Sequence, residues 1–130
     1  MTRLLPDMIR VSVKGTRQSL RGFLIRGHAG FAEAGGDIVC SAVSALATTA
    51  LLGLKRYLPG KFRYGVSQEG LIFCKLQEDL TEREARDAQI ILTVLLLGLE
   101  SIAAEYGRYI DLALQEVKHH DEDESAAVRS

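Results

Sequence analysis

The chain has 130 residues, 47% hydrophobic and 25% charged, with 16 basic against 17 acidic side chains and a formal charge of -1. That is the size and balance of one soluble globular domain with its own core, and so little net charge argues against broad, direct nucleic-acid binding. Two cysteines cannot build a disulfide framework and the N-terminus lacks a signal peptide's apolar core, so a reduced, cytoplasmic setting is expected.

Residues 1–7 read as a flexible N-terminal extension, closed by the breaker pair Pro6-Asp7. From Met8 onward Ile9, Val11 and Val13 alternate with Arg10, Ser12 and Lys14, the period-two pattern of a half-buried strand. Residues 15–18 are the turn and residues 20–26 the second strand of a hairpin. There Leu20, Gly22 and Leu24 are expected on one face, Phe23 and Ile25 on the other, and Gly22 reads as a bulge or a close backbone approach. A loop of small residues follows, 29–36, the kind of segment that often carries function on a rigid frame.

Asp37 reads as the N-cap of a first helix over about 38–57, which makes Cys40 its third helical residue. The run 38–54 holds 17 residues without a charge. That is the short end of a membrane span, but its Ser, Thr and Ala and the flanking strands favour a buried helix and no membrane. Pro59-Gly60 stops it. Residues 62–67 and 71–76 form a second hairpin, with Cys74 in mid-strand as a small buried hydrophobe.

Thr81 and Glu84 make a capping box that opens a second helix, running to about Tyr106. From Ile90 to Leu99 it is apolar on nearly all sides. A stretch that short cannot span a bilayer, so it is deeply buried or shared with a second subunit, and a homodimer through this helix is expected. Residues 109–116 alternate again as a last strand, and 119–130 read as an acidic, disordered tail. The order β-β-α-β-β-α-β predicts a single α+β domain over 8–118, two helices packed on a largely antiparallel sheet.

The chemistry concentrates in residues 27–44. His28 is the only histidine outside the tail, and Cys40 follows twelve residues later. A thiol attacks as its thiolate, which a helix N-terminus and a nearby imidazolium both favour. The same free N–H groups suit the oxyanion of a tetrahedral intermediate. On the residues alone the pair reads as a Cys–His dyad for acyl transfer or as a structural cysteine beside an unrelated histidine. Asp37 serves as cap, as partner of His28, or as both, a carboxylate having two oxygens. Ser44, at i+4 from Cys40, is a hydrogen-bonding neighbour of the thiol or a small residue that admits helix packing. Phe31 is a contact for an apolar substrate side chain or an anchor for the loop, and Gly35 and Gly36 belong to that loop. Adjacent histidines such as His119 and His120 on a tail rarely close a metal site, so neither metal nor cofactor is expected.

Taken together, Gly27-His28-Ala29, Gly35-Gly36-Asp37-Ile38-Val39-Cys40 and Ala42-Val43-Ser44 resemble the motif of the ribosomal-processing cysteine protease family Prp. Met8-Ile9-x-Val11 is similar to that family's usual start, which makes residues 1–7 an extension or places the translation start at Met8. The resemblance implies a cytoplasmic, homodimeric endopeptidase. Such enzymes remove a short N-terminal extension from a large-subunit ribosomal protein during ribosome assembly, cutting after a pair of aromatic residues. It places the nucleophile on Cys40 and the catalytic histidine on His28, with Asp37 and Ser44 in support and the intervening loop over the substrate. Ser41 stands where the family commonly has Ala. Two other readings stay open: a non-catalytic ribosome-assembly or interaction module on the same fold, and a small metal or redox protein using His28, Asp37 and Cys40 as ligands.

Overall fold

A computed structural model describes residues 8–27, 34–68 and 70–116. Its elements are β1 (Ile9–Thr16), β2 (Ser19–Arg26), α1 (Ala34–Tyr57), β3 (Phe62–Val66), β4 (Ile72–Leu76), α2 (Glu82–Glu105) and β5 (Ile110–Gln115). This is the expected β-β-α-β-β-α-β order of an α+β domain. The five strands form one sheet in the order β3-β4-β2-β1-β5. All neighbours pair antiparallel except β1 and β5, which are parallel. The residues expected for the extension and the tail, 1–7 and 119–130, lie outside the described residues.

The period-two pattern of β1 decides which face is covered. Ile9, Val11 and Val13 are buried, while Arg10 is exposed and Ser12 and Lys14 are half-buried. Against the covered face α1 lays Val39, Val43, Ala47, Ala50, Leu51 and Leu54, and α2 lays Ala88, Leu92, Leu95, Leu96 and Leu99. These spacings of three and four make one stripe on each helix. Burial of Phe23 at the centre, 1% exposed, stabilises the fold by roughly 1.5–3 kcal/mol. By length and composition alone both helices could cross a bilayer; one face of each is buried in this core instead. For α2 this amends the expectation, because the whole 24-residue helix, unlike its ten-residue apolar centre, is long enough.

Polar contacts tie the hairpin to α2. The Leu20 N–H donates to Gln89 Oε1 at 2.8 Å, Gln89 Nε2 donates to the Arg17 carbonyl at 3.3 Å, and Arg17 pairs with Glu100. The capping box forms as expected: the Glu84 N–H donates to Thr81 Oγ1 at 3.1 Å and the Thr81 N–H to Glu84 Oε1 at 2.9 Å. That backbone donor, the largest cause, holds the Glu84 carboxyl below its ordinary 4.5. The cap's stabilisation is therefore present above that value and fades as pH falls through the lower folded one.

One expectation about β2 is corrected. Lys14 pairs with Gly22 but Gly15 pairs with Leu20, so β2 carries an extra residue at Arg21. A bulge of one residue inverts a period of two. Leu20 therefore shares the buried face with Phe23 and Ile25, and only Leu24, half-buried, stays on the other.

Candidate active site

Gly27 directly follows β2 with a φ of 91°, and a Cβ built there would lie 2.7 Å from the Met8 carbonyl oxygen. Glycine takes this left-handed turn, so close to another backbone, without strain. It sets the point at which the chain leaves the sheet towards His28. His28 and Phe31 fall in 28–33, outside the described residues.

At Ala34 the helix has already begun. This corrects the expectation at four positions. Gly35 and Gly36 stand in the first turn of α1 and not in a loop, Asp37 is its fourth residue and not its N-cap, and Cys40 is its seventh and not its third. The reason is cooperativity. No proline or β-branched residue lies between Ala34 and Asp37, and once the stripe from Val39 onward is packed, extending the helix backwards costs only propensity, about 1 kcal/mol for each glycine. The chemical consequence is direct. The macrodipole acts mainly within the first turn, and Cys40 stands in the second.

Cys40 is half-buried and packs against the core, between buried Val39 and exposed Ser41. Cys40 thus lies at the border of the apolar stripe, packed against the core and partly exposed. Ser44, one turn on, is exposed on the same side. Ile38, 57% exposed beside this border, escaped the sequence reading. It offers an apolar contact next to the thiol, and its only signal was that an isoleucine falls off the buried stripe of an amphipathic helix.

The second cysteine is of another kind. Cys74 is 3% exposed in mid-β4, as expected, and burial pushes its thiol up to about 12. In the native protein near neutral pH, iodoacetamide should therefore modify Cys40 and leave Cys74 intact, which peptide mass mapping reads directly. Unfolded, Cys74 ionises near its ordinary 9.0. The folded thiol keeps its proton where the unfolded one loses it, so stability falls as pH rises from about 9 towards 12. The urea midpoint of wild type should drop more steeply across that range than that of Cys74→Ala.

A cleft of about 320 Å³ opens at the other end of the sheet, among Arg21, Leu80, Arg86 and Gln89. It shares no residue with 27–44 and lies by the β1–β2 turn, away from Gly27.

A family model described as cysteine protease Prp matches residues 8–111. The ribosomal processing cysteine protease Prp of Bacillus subtilis (strain 168) is 27% identical over 104 residues, 76% of this chain and 90% of that one. A solved Streptococcus mutans structure has a TM-score of 0.72 at 22% identity, covering 85% of this chain and 97% of its own. The ribosomal processing protease Prp of Staphylococcus aureus, in complex with a substrate peptide, has a TM-score of 0.69 at 23% identity, with 82% and 99% covered. The same S. aureus protease has also been solved with a covalently linked product peptide, with a TM-score of 0.68 at 24% identity. These likenesses establish a shared fold.

Proposed function

The chain belongs to the cysteine protease Prp family, and from that premise we propose that it is a cytoplasmic endopeptidase that removes a short N-terminal extension from a large-subunit ribosomal protein. Cys40 is the nucleophile and His28 the general base and acid, within a domain over 8–118. The observation that carries this reading is the seat of Cys40, packed at the edge of the α1 stripe and reachable from solvent, in contrast to the buried Cys74.

In this reading His28 takes the thiol proton and Sγ attacks the scissile carbonyl carbon, whose oxygen takes up the electron pair. Collapse of the tetrahedral intermediate expels the amine, which receives the proton from the imidazolium and leaves as the trimmed protein. The extension remains as a thioester on Cys40. Water, giving a proton to His28, attacks that carbonyl and the thiolate departs. The covalently linked product peptide on the S. aureus relative is the kind of species such a route leaves. Phe31, Gly35, Gly36 and the exposed Ile38 border the peptide, Asp37 orients His28, and Ser44 supports the thiol. The paired glycines make the first turn of α1 its least stable part, so that turn yields as substrate seats.

Incubation with a ribosomal-protein N-terminal peptide carrying a Phe-Phe pair tests the substrate. A single cut after the second Phe is expected, and none in an Ala-Ala version. An intact Phe-Phe peptide would overturn it.

The same reading includes a homodimer. On α2, Ile90, Val94 and Leu97 are 58%, 62% and 56% exposed along one stripe, and Leu52 on α1 is 59% exposed. An exposed apolar stripe of this kind is a docking face, and the other copy of the chain covers it. Sedimentation should give about twice 14.3 kDa for wild type. Val94→Glu with Leu97→Glu should give the single-chain mass, and a wild type that sediments at 14.3 kDa excludes the dimer.

A further inference from the structure

The helices α1 and α2 cover one face of the sheet. Strand register orders the side chains of the other. One row across it runs Gln115 of β5, Lys14 of β1, Gly22 of β2, Lys75 of β4 and Arg63 of β3. Two positions along, the next row runs Ala113, Ser12, Leu24, Phe73 and Gly65. A third holds Asp111, Arg10 and Arg26. Rows on one face lie ~6.7 Å apart, so an uncharged strip separates two cationic edges ~13 Å from each other. The whole chain has a formal charge of -1, yet Asp111 is the sole acid among the residues of these rows, and it lies 3.7 Å from Arg10. Lys14, Arg26, Arg63 and Lys75 have no carboxylate partner among the described residues. Lys14 donates instead to a neutral acceptor, Gln115 Oε1, at 2.8 Å.

Two of these contacts set like charges against each other. Arg10 stands directly opposite Arg26, and Lys75 directly opposite Arg63. Such pairs on neighbouring strands cost stability, and departures of this kind from what a fold prefers belong to functional sites. Phe73 lies half-buried in the uncharged strip, opposite Leu24. Its ring fills the place of the side chain that Gly65 lacks, since a Cβ built there would lie 2.5 Å from Phe73 Cε1. Cations beside an aromatic strip fit a strand whose phosphates follow the charges while a base stacks on the ring. A duplex keeps its base faces stacked inside, and an acidic peptide has no base to offer Phe73.

We propose that this face of the sheet binds single-stranded RNA, with phosphates along Lys14, Lys75 and Arg63 and a base on Phe73 and Leu24. The sequence argued against broad nucleic-acid binding through net charge, which averages over faces; the register segregates the charge onto one of them. The choice of RNA rests on the proposed ribosomal substrate, and the Ser12 hydroxyl within the strip suits a 2′-OH as donor and acceptor.

Fluorescence anisotropy of a labelled ~12-nucleotide single-stranded RNA, titrated with the full chain at ~50 mM NaCl, tests this. Lys75→Gln with Arg63→Gln should weaken binding at least about tenfold and flatten the log–log salt slope by about 1.4, the share of two phosphate contacts on a single strand. Because that variant also removes a like-charge pair, its urea midpoint should be no lower than that of wild type. Phe73→Leu keeps an apolar side chain in place and should weaken binding at least about fivefold, the scale of one stacked base. Arg86→Gln, at an exposed position on α2 outside this face, should stay within about twofold of wild type. No binding by wild type up to ~100 µM protein would overturn the proposal. So would a loss in Arg86→Gln equal to that of the sheet variant, or unchanged binding by Phe73→Leu. Duplex RNA, polyglutamate or single-stranded DNA bound as tightly as the probe would overturn it too. Cleavage of the Phe-Phe peptide is measured apart from these titrations, so failure of the proteolytic reading and failure of this one are told apart.

Discussion

Cys40→Ala lowers kcat/KM on a Phe-Phe peptide by at least about ten thousandfold, the scale on which loss of a covalent nucleophile is felt. His28→Ala should fall within about tenfold of that variant, because base and nucleophile act in one step. For the same reason the double variant should be no worse than Cys40→Ala alone, since groups that work as a unit are strongly non-additive. Cys74→Ala is the matched control, because its thiol is buried 3% exposed in mid-β4; it should stay within about threefold of wild type. Cys40 is only half-buried, so its truncation leaves the fold intact, and circular dichroism with a thermal melt checks that separately. A Cys40→Ala enzyme within tenfold of wild type would remove the nucleophile assignment. Full additivity of the two single losses would instead separate His28 from the same step.

What could be read in advance depended on how local its cause was. The alternation of Ile9, Val11 and Val13 is set by neighbours two apart, so β1 and its buried face were legible. The face of Leu20 was not, because a single extra residue at Arg21 reverses the period, and Gly22 marks a bulge without saying how many residues it adds. The capping box at Thr81 was legible and formed. The cap at Asp37 used the same kind of signal and failed. A helix extends as far as propagation allows, and Ala34, Gly35 and Gly36 offer no stop. In the site, the order of His28, Asp37, Cys40 and Ser44 along the chain was open to reading. The half-burial of Cys40 and the exposure of Ile38 depend on which side of α1 meets the sheet, a tertiary matter. The placing of Lys14, Lys75 and Arg63 in one row across the sheet was further out of reach, since they come together only through three strand registers.

Two glycine-to-alanine changes should move stability in opposite directions and test that packing account. A Cβ at Gly22 would stand 2.2 Å from the Cys74 carbonyl oxygen and 3.1 Å from Lys75 Cα. Both are backbone atoms of the paired strand, with no flexible side-chain end to swing away. Gly22→Ala must push β2 from β4, at a cost of about 3 kcal/mol, a large share of the roughly 5–15 kcal/mol a domain of this kind holds. At Gly53 the nearest neighbour is Ile91 Cδ1 at 3.5 Å, an ordinary contact. There alanine only removes the entropy cost of glycine inside a helix, and Gly53→Ala should gain about 0.5–1 kcal/mol. Urea titration reads both shifts. Activity should divide in the same way, because β2 ends at Arg26, two residues before His28, whereas Gly53 is more than three helical turns beyond Cys40. Gly22→Ala should thus lose turnover under conditions where it is still folded, and Gly53→Ala should keep it. If Gly22→Ala were as stable as wild type, the close β2–β4 approach would be wrong.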